Sequence, residues 1–309
     1  MRNSFIVKIG IGLLGSAVVV ACGGGGGGNG GGGGGGISAG DYVLFDALIS
    51  GNRDVYRYNT SDGTTERITT SVDDDRNATM FLSRPNASQS WIAYVNAPPG
   101  NDDIWIVRFD GQSPTQLTTN AQQETQPAFD RTGGRITYMR QGAIWMMNSD
   151  GTGQTNVSNG VLDQNPVFRP ATSGPDVEIW FDRFDVGTQA SQLFKMTTGG
   201  AGITQVTNTN LASNVNVAFS PDGTQVVFQS NRDGNQEIYK MNVNGTGLVN
   251  LTNRASNDYA PSWSPSGYIY FESDEGSAGF RIWRMNADGT NKIVLGSTSN
   301  TSAVNAFGK

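Results

Sequence analysis

From residue 41 onward, short apolar-aromatic runs alternate with polar turns, and the alternation repeats along the chain. Six segments share one shape, an apolar-aromatic strand, a two-residue turn and a second strand that mostly ends in Thr. They read VYRYNTSDGTTERIT (55–69), IWIVRFDGQSPTQLT (104–118), IWMMNSDGTGQTNVS (144–158), LFKMTTGGAGITQVT (193–207), IYKMNVNGTGLVNLT (238–252) and IWRMNADGTNKIVLG (282–296). Their second positions are Tyr56, Trp105, Trp145, Phe194, Tyr239 and Trp283, spaced 49, 40, 49, 45 and 44 residues apart. That spacing suits propeller blades rather than helical solenoids. A unit this small buries its apolar faces only by stacking on its neighbours. The aromatics are therefore expected between blades, not in a sugar-stacking stripe.

Asp62-Gly63, Asp110-Gly111, Asp150-Gly151, Asn244-Gly245 and Asp288-Gly289 fall between the paired strands. Such dipeptides favour tight hairpins of type I′, so these aspartates are read as turn-formers and not as site residues. Two more strands precede each copy: NVAFS (216–220) and QVVFQS (225–230) in the fifth unit, APSWS (260–264) and YIYFES (268–273) in the sixth. Four strands per unit make a propeller blade. The first unit, beginning with DYVLFD (41–46), has no inner strand before it. AVNAF (303–307) supplies one, with Phe307 in register with Phe81, Phe129, Phe168, Phe219 and Trp263. The expected fold is all-β: a six-bladed β-propeller of four-stranded blades over residues 41–309, its ring closed by the C-terminal strand joining the first blade. Closure in this way removes open sheet edges.

The 309 residues are only 16% charged, contain no histidine and include one cysteine. Lack of histidine removes the usual general base and metal ligand, and one cysteine permits no intrachain disulfide. That cysteine ends the run MRNSFIVKIGIGLLGSAVVVAC, which has a basic start and an apolar stretch too short to span a bilayer comfortably. Val19-Val20-Ala21-Cys22 resembles the lipobox of bacterial lipoproteins. Residues 1–21 are thus expected to be a signal peptide and Cys22 the lipidated first residue. Residues 22–40 form a linker, glycine from Gly23 to Gly36 except for Asn29. Such a tract cannot bury apolar surface and acts as a flexible tether. The net charge of −6 is unsuited to nucleic acid.

AFSPDGTQVVFQSNRDGNQEIYKMNVNGTGLVNLT and PSWSPSGYIYFESDEGSAGFRIWRMNADGT resemble the repeats of TolB-type propellers. The resemblance covers residues 41–309 and implies a periplasmic compartment. TolB has an α/β domain before its propeller; here the glycine linker stands in that place. Gly23 after the cysteine fits the outer-membrane default that the lipoprotein resemblance implies, with the cell surface as the other location.

Five residues before each inner-strand aromatic lie Arg76, Glu124, Asp163, Asn214, Asp258 and Ser302. All are expected to ring the channel mouth. Loops between second and third strands add Asp54, Asp102, Asp103, Asp182, Asp185, Arg232, Asp233, Asp274 and Glu275. Residues of this kind form an acidic face suited to a basic protein partner, with Glu124, Asp163, Asp258, Arg76, Asn214, Asp54, Asp103, Arg232 and Asp233 as its candidate contacts. No metal or cofactor is assigned; Ca²⁺ held by loop oxygens stays open, although no stretch has calcium-loop spacing.

The expected function is a monomeric, non-catalytic, lipid-anchored propeller that binds an envelope protein or peptide and touches the membrane only through its anchor. The alternative is a polysaccharide-active enzyme, a lyase or a two-carboxylate glycoside hydrolase. Lyases that resemble this repeat rely on histidine for metal binding. If Cys22 carries the anchor, Cys22→Ser will shift the protein from the membrane to the soluble fraction and abolish fatty-acid labelling. Unchanged fractionation and labelling would refute the anchor.

Overall fold

The computed structural model describes residues 19–20, 22–23, 41–48, 51–83, 89–160, 162–276 and 280–295. No α-helix occurs among them. Blades 2 to 6 each pair their strands antiparallel in sequence order from the inner to the outer edge. Their inner strands are Asp74–Leu82, Glu124–Phe129, Asp163–Phe168, Asn214–Phe219 and Asp258–Trp263. The second strands are Trp91–Ala97, Arg135–Arg140, Glu178–Asp185, Gln225–Ser230 and Tyr268–Ser273. The third strands are Asp103–Arg108, Ala143–Asn148, Ala190–Thr197, Glu237–Asn242 and Arg281–Asn286, each followed by a two-residue outer strand.

Blade 1 contains Tyr42–Leu48, Arg53–Asn59 and Thr65–Arg67. Its inner edge carries Val19–Val20, antiparallel to Tyr42–Leu48. Cys22–Gly23 runs parallel to the inner strand of blade 2. The predicted closing strand, 303–307, lies outside the described residues. Blade 6 nevertheless meets blade 1: Ser266 Oγ and Tyr270 OH donate to the Asp41 carboxylate at 2.7 and 3.0 Å.

Six apolar clusters hold the ring, one at each seam between neighbouring blades. The cluster that joins blades 6 and 1 includes Val43, Phe45, Tyr56, Tyr270 and Ile282. Trp105, Trp145 and Trp283 pack against these seam clusters, as their repeat positions predict. Full burial of one seam side chain such as Phe45 or Ile136 contributes about 1.5–3 kcal/mol. The Thr or Ser that ends the outer strand has a local reason as well. Oγ of Thr69, Thr118, Ser158, Thr207 and Thr252 accepts the backbone N–H of Val55, Ile104, Ile144, Leu193 and Ile238 at 2.9 to 3.0 Å.

Three local features depart from the sequence reading. The hairpins are not type I′. Gly151 N–H donates to Asn148 O at 2.9 Å, and Gly151 takes the left-handed conformation, φ 86°, whereas Ser149 and Asp150 do not. That is a type I turn followed by a left-handed glycine. Asp150 Oδ1 fixes it by accepting Thr152 N–H at 2.9 Å. A Cβ at Gly151 would also lie 2.9 Å from Leu117 O of the preceding blade, so the turn packs too closely for a side chain.

Second, the inner strands of blades 2 to 6 are all bulged, with Asn77, Gln126, Asn165, Asn216 and Ala260 at positive φ. The bulge aims backbone N–H groups at the preceding blade: Asn165 donates to Gln126 Oε1, Asn216 to Asp182 Oδ1 and Ala260 to Gln229 Oε1. Third, Met80 and not Phe81 occupies the repeated inner-strand position. Met80 pairs with Ile92 as Phe129 pairs with Ile136, while Phe81 pairs with Trp91.

Candidate functional site

The residues that begin the inner strands are buried, and each is paired with an arginine beside the aromatic rings of its own blade. In blade 3, Arg140 Nε donates to Glu124 Oε1 at 2.7 Å, and its guanidinium sits 4.2 Å from the Trp145 ring centre. Blade 4 repeats this with Arg183, which donates to both oxygens of Asp163 at 2.6 and 3.0 Å and lies 5.0 Å from Phe194. In blade 5, Arg232 donates to Asn214 Oδ1 at 2.5 Å and lies 4.4 Å from Tyr239. In blade 6, Arg254 donates to both oxygens of Asp258 at 3.0 and 2.8 Å and lies 4.7 Å from Trp283. Each guanidinium also faces the aromatic of the second strand: Tyr138, Phe181, Phe228 or Phe271.

The four arginines reach this place from different positions. Arg140 and Arg183 lie within second strands, Arg232 follows one, and Arg254 precedes an inner strand. The same cluster of rings, cation and acceptor therefore recurs without a shared backbone origin. Cation–π contact and charge-assisted hydrogen bonds both strengthen away from water.

These contacts correct the expectation of an exposed acidic ring. Glu124, Asp163, Asn214 and Asp258 are 0% exposed. A carboxylate at that depth is stable only when a cation and hydrogen bonds accompany it. Arg76 is corrected too: Asp75 is the ring position of blade 2, because Asp75 pairs with Asn96 as Glu124 pairs with Arg140. Arg76 is half-buried and binds Asp102 at 2.7 Å. Ser302 lies outside the described residues.

Among the loop candidates, Asp54 is buried with Arg67 at 2.7 Å, and Asp103 is buried, accepting from Asn101, Gln116 and Thr118. Arg232 is half-buried. Asp233 is exposed, though its carboxylate accepts from Tyr239 OH and from Asn250 Nδ2. Among the described residues, no three acidic or Cys side chains converge to hold a metal ion.

Sequence reasoning missed Arg140, Arg183 and Arg254, and it named Arg232 only as a loop contact and not as the partner of Asn214. A signal was present: Tyr-Met-Arg at 138–140 and Phe-Asp-Arg at 181–183 place Arg two residues after the second-strand aromatic. It also missed the buried acid Glu272, and it assigned to an exposed loop Asp182, which lies buried within the second strand of blade 4. Burial pushes Glu272 well above the usual carboxylate range, with the neighbouring Asp46 adding to the effect. Asp62, Asp150 and Asp288 are shifted the other way, chiefly by the Thr hydroxyls that donate to them in the turns.

A family model described as the TolB beta propeller domain matches residues 139–308, more than half of the chain. The chain belongs to this family. It is 47% identical over 45 residues to a TolB homolog of Chlorobaculum tepidum, covering 15% of this chain and 10% of that protein. It is 31% identical over 96 residues to the Tol-Pal system protein TolB of Hamiltonella defensa, covering 31% and 22%. The matched stretches thus span under a quarter of these two relatives. Among solved structures, TolB from Acinetobacter baumannii superposes with a TM-score of 0.56 at 16% identity, covering 84% of this chain and 66% of that one. An oligogalacturonate lyase from Vibrio parahaemolyticus gives 0.56 at 11% identity, covering 82% and 74%. Both likenesses are likenesses of fold.

The buried acids of this TolB propeller set its pH response. Burial raises Asp182 to about 8, although Asn165 Nδ2 and Asn216 N–H donate to it at 2.5 and 3.1 Å. In the unfolded chain an aspartate titrates near 4. Between those values the folded protein keeps a proton that the unfolded chain has lost, so stability falls as pH rises through that window. Urea unfolding should give a lower midpoint at pH 8 than at pH 5, and Asp182→Asn should narrow the gap. Asp46, raised to about 6 by burial, accounts for part of what remains. An identical gap in wild type and variant would refute the assignment.

Proposed function

We propose that this chain is a lipid-anchored TolB propeller that binds a protein or peptide of the cell envelope and performs no chemistry of its own. On this reading it is a monomer tethered through Cys22 at the periplasmic side of the outer membrane, and it binds no nucleic acid. Cleavage before Cys22 would also remove Val19–Val20 and free the inner edge of blade 1 for residues 303–307. Family membership supports an envelope protein-binding role.

The observation that carries the binding face is its surface composition. Strands enter the ring on one face, and there Leu48, Val72, Val186 and Leu211 are between 51% and 90% exposed. Large apolar side chains left in solvent on one face suit contact with a partner. The polar frame around them includes Arg76, Arg232 and Asp233, with Asp185 exposed beside Val186. Glu124, Asp163, Asn214 and Asp258 lie beneath this surface and hold its loops, and Asp54 and Asp103 anchor the third strands. The face combines exposed apolar side chains with charged groups of both signs.

The rival reading, a carboxylate-dependent enzyme acting on polysaccharide, shares only its fold with the lyase. Its strand-entry acids are poor candidates for proton transfer, because a carboxylate held by a guanidinium is neither a free base nor an available acid.

Cross-linked capture from envelope fractions tests the face. Val186→Ser with Leu211→Ser should abolish capture while leaving the melting temperature unchanged, because exposed substitutions alter stability by only about 0.5 kcal/mol. Asp150→Asn with Asp288→Asn, in turns on the opposite face, should leave capture intact. Undiminished capture by the first pair, or equal loss in both, would overturn the assignment.

A further inference from the structure

The seam between blades 1 and 2 contains every part of the repeated guanidinium site except the guanidinium. Tyr94 and Trp105 stand where Tyr138 and Trp145 stand, each pair facing across the second and third strands. Asp75, at 0% exposure, takes the place of Glu124. Asn96 takes the place of Arg140 and is too short to reach between the rings. It donates to Asp75 Oδ1 at 2.8 Å, while Ser71 Oγ donates to Oδ2 at 3.0 Å. Among the described residues, no cation lies on either ring or pairs with Asp75.

Space remains where the arginine would be. A cleft of about 350 Å³ opens there, lined by Ser71, Asp75, Tyr94, Asn96, Trp105 and Val107. Trp105 Nε1 is buried beside it with no hydrogen-bond partner among the described residues. Val72, 90% exposed, stands at the rim on the face assigned above to binding. Four blades show what such a pocket holds, and in each the cation comes from the chain itself. Here the described residues supply none.

We infer that this cleft binds the guanidinium of an arginine side chain offered by a partner protein, seated between Tyr94 and Trp105 against Asp75. The inference rests on the protein-binding reading and adds the chemistry of the bound group. Arginine fits better than lysine because a planar guanidinium stacks on a ring while its fork donates to a carboxylate. Burial of Asp75 holds its carboxyl above the usual range, so an incoming cation would favour its charged form and bind more tightly as pH rises.

The test uses the full chain and the probe acetyl-Gly-Arg-Gly-amide, with its citrulline analogue as the neutral match in shape. Binding is read from the ¹⁵N–¹H signal of the Trp105 indole and by calorimetry. The arginine peptide should bind saturably and shift that signal, and citrulline should bind at least about tenfold more weakly. Asp75→Asn should weaken binding by a similar factor. Asn96→Arg should fill the cleft from within, as Arg140 does in blade 3, so that it abolishes peptide binding and raises the melting temperature. No saturable binding by the wild type, or equal binding of both peptides, would overturn the inference even if one variant failed to fold. Envelope capture by a wild type that ignores the arginine peptide would sink this inference and leave the protein-binding reading standing. Arginine binding without any envelope capture would do the reverse.

Discussion

A four-stranded blade has two apolar faces and can cover neither alone. Every other feature of this propeller answers to that constraint. The six seam clusters bury Phe, Tyr, Ile and Val from both neighbours, so stability belongs to the ring and not to any single blade. Toward the strand-entry face, the seams change from aliphatic packing to rings, guanidinium and carboxylate. That change allows polar loops to descend onto an apolar core without leaving charge unpaired. Arg140, half-sandwiched by Tyr138 and Trp145 while it holds Glu124, performs both tasks with one side chain.

The same constraint separates structural from available groups. An acid that begins an inner strand is paired with an arginine of its own blade or of the link leading into it, so it is satisfied without facing solvent. What the outer surface offers is set by loop tips, such as those carrying Val72, Val186 and Leu211. Blade 2 departs from the pattern at one residue. Asn96 in place of an arginine leaves two rings, an acid and a cleft in the middle of an otherwise complete site.

Much of the fold was legible because period and turn chemistry are local. QVVFQS and YIYFES form strands with the predicted bounds, 225–230 and 268–273. The Asp-Gly dipeptides form hairpins, and in five repeats the closing Thr or Ser accepts a third-strand N–H. The turn subtype was not legible, since a left-handed glycine follows a type I turn as readily as it completes a primed one. The inner-strand bulges were hidden for another reason. They place Asn, Gln and Ala at positive φ, where no shared residue type marks them. Blade 2 shows the consequence: counting back from Phe81 selected Arg76, whereas pairing with Asn96 makes Asp75 the ring member. Burial of the ring was the largest loss. Polar residues in loops resemble a surface until the partner that removes them from water is known, and those arginines lie at three different distances along the chain.

The central claim is that a guanidinium–carboxylate pair set against aromatic rings ties the strands of a blade together at the strand-entry end. A double-mutant cycle in urea unfolding at Arg140 and Glu124 tests it most directly, with Arg140→Met, Glu124→Gln and both together. Each single change should cost about 3–5 kcal/mol by leaving a buried charge unpaired, and the double variant should cost much less than their sum. Small single effects that add within about 0.5 kcal/mol would show a solvent-screened surface pair and contradict the account.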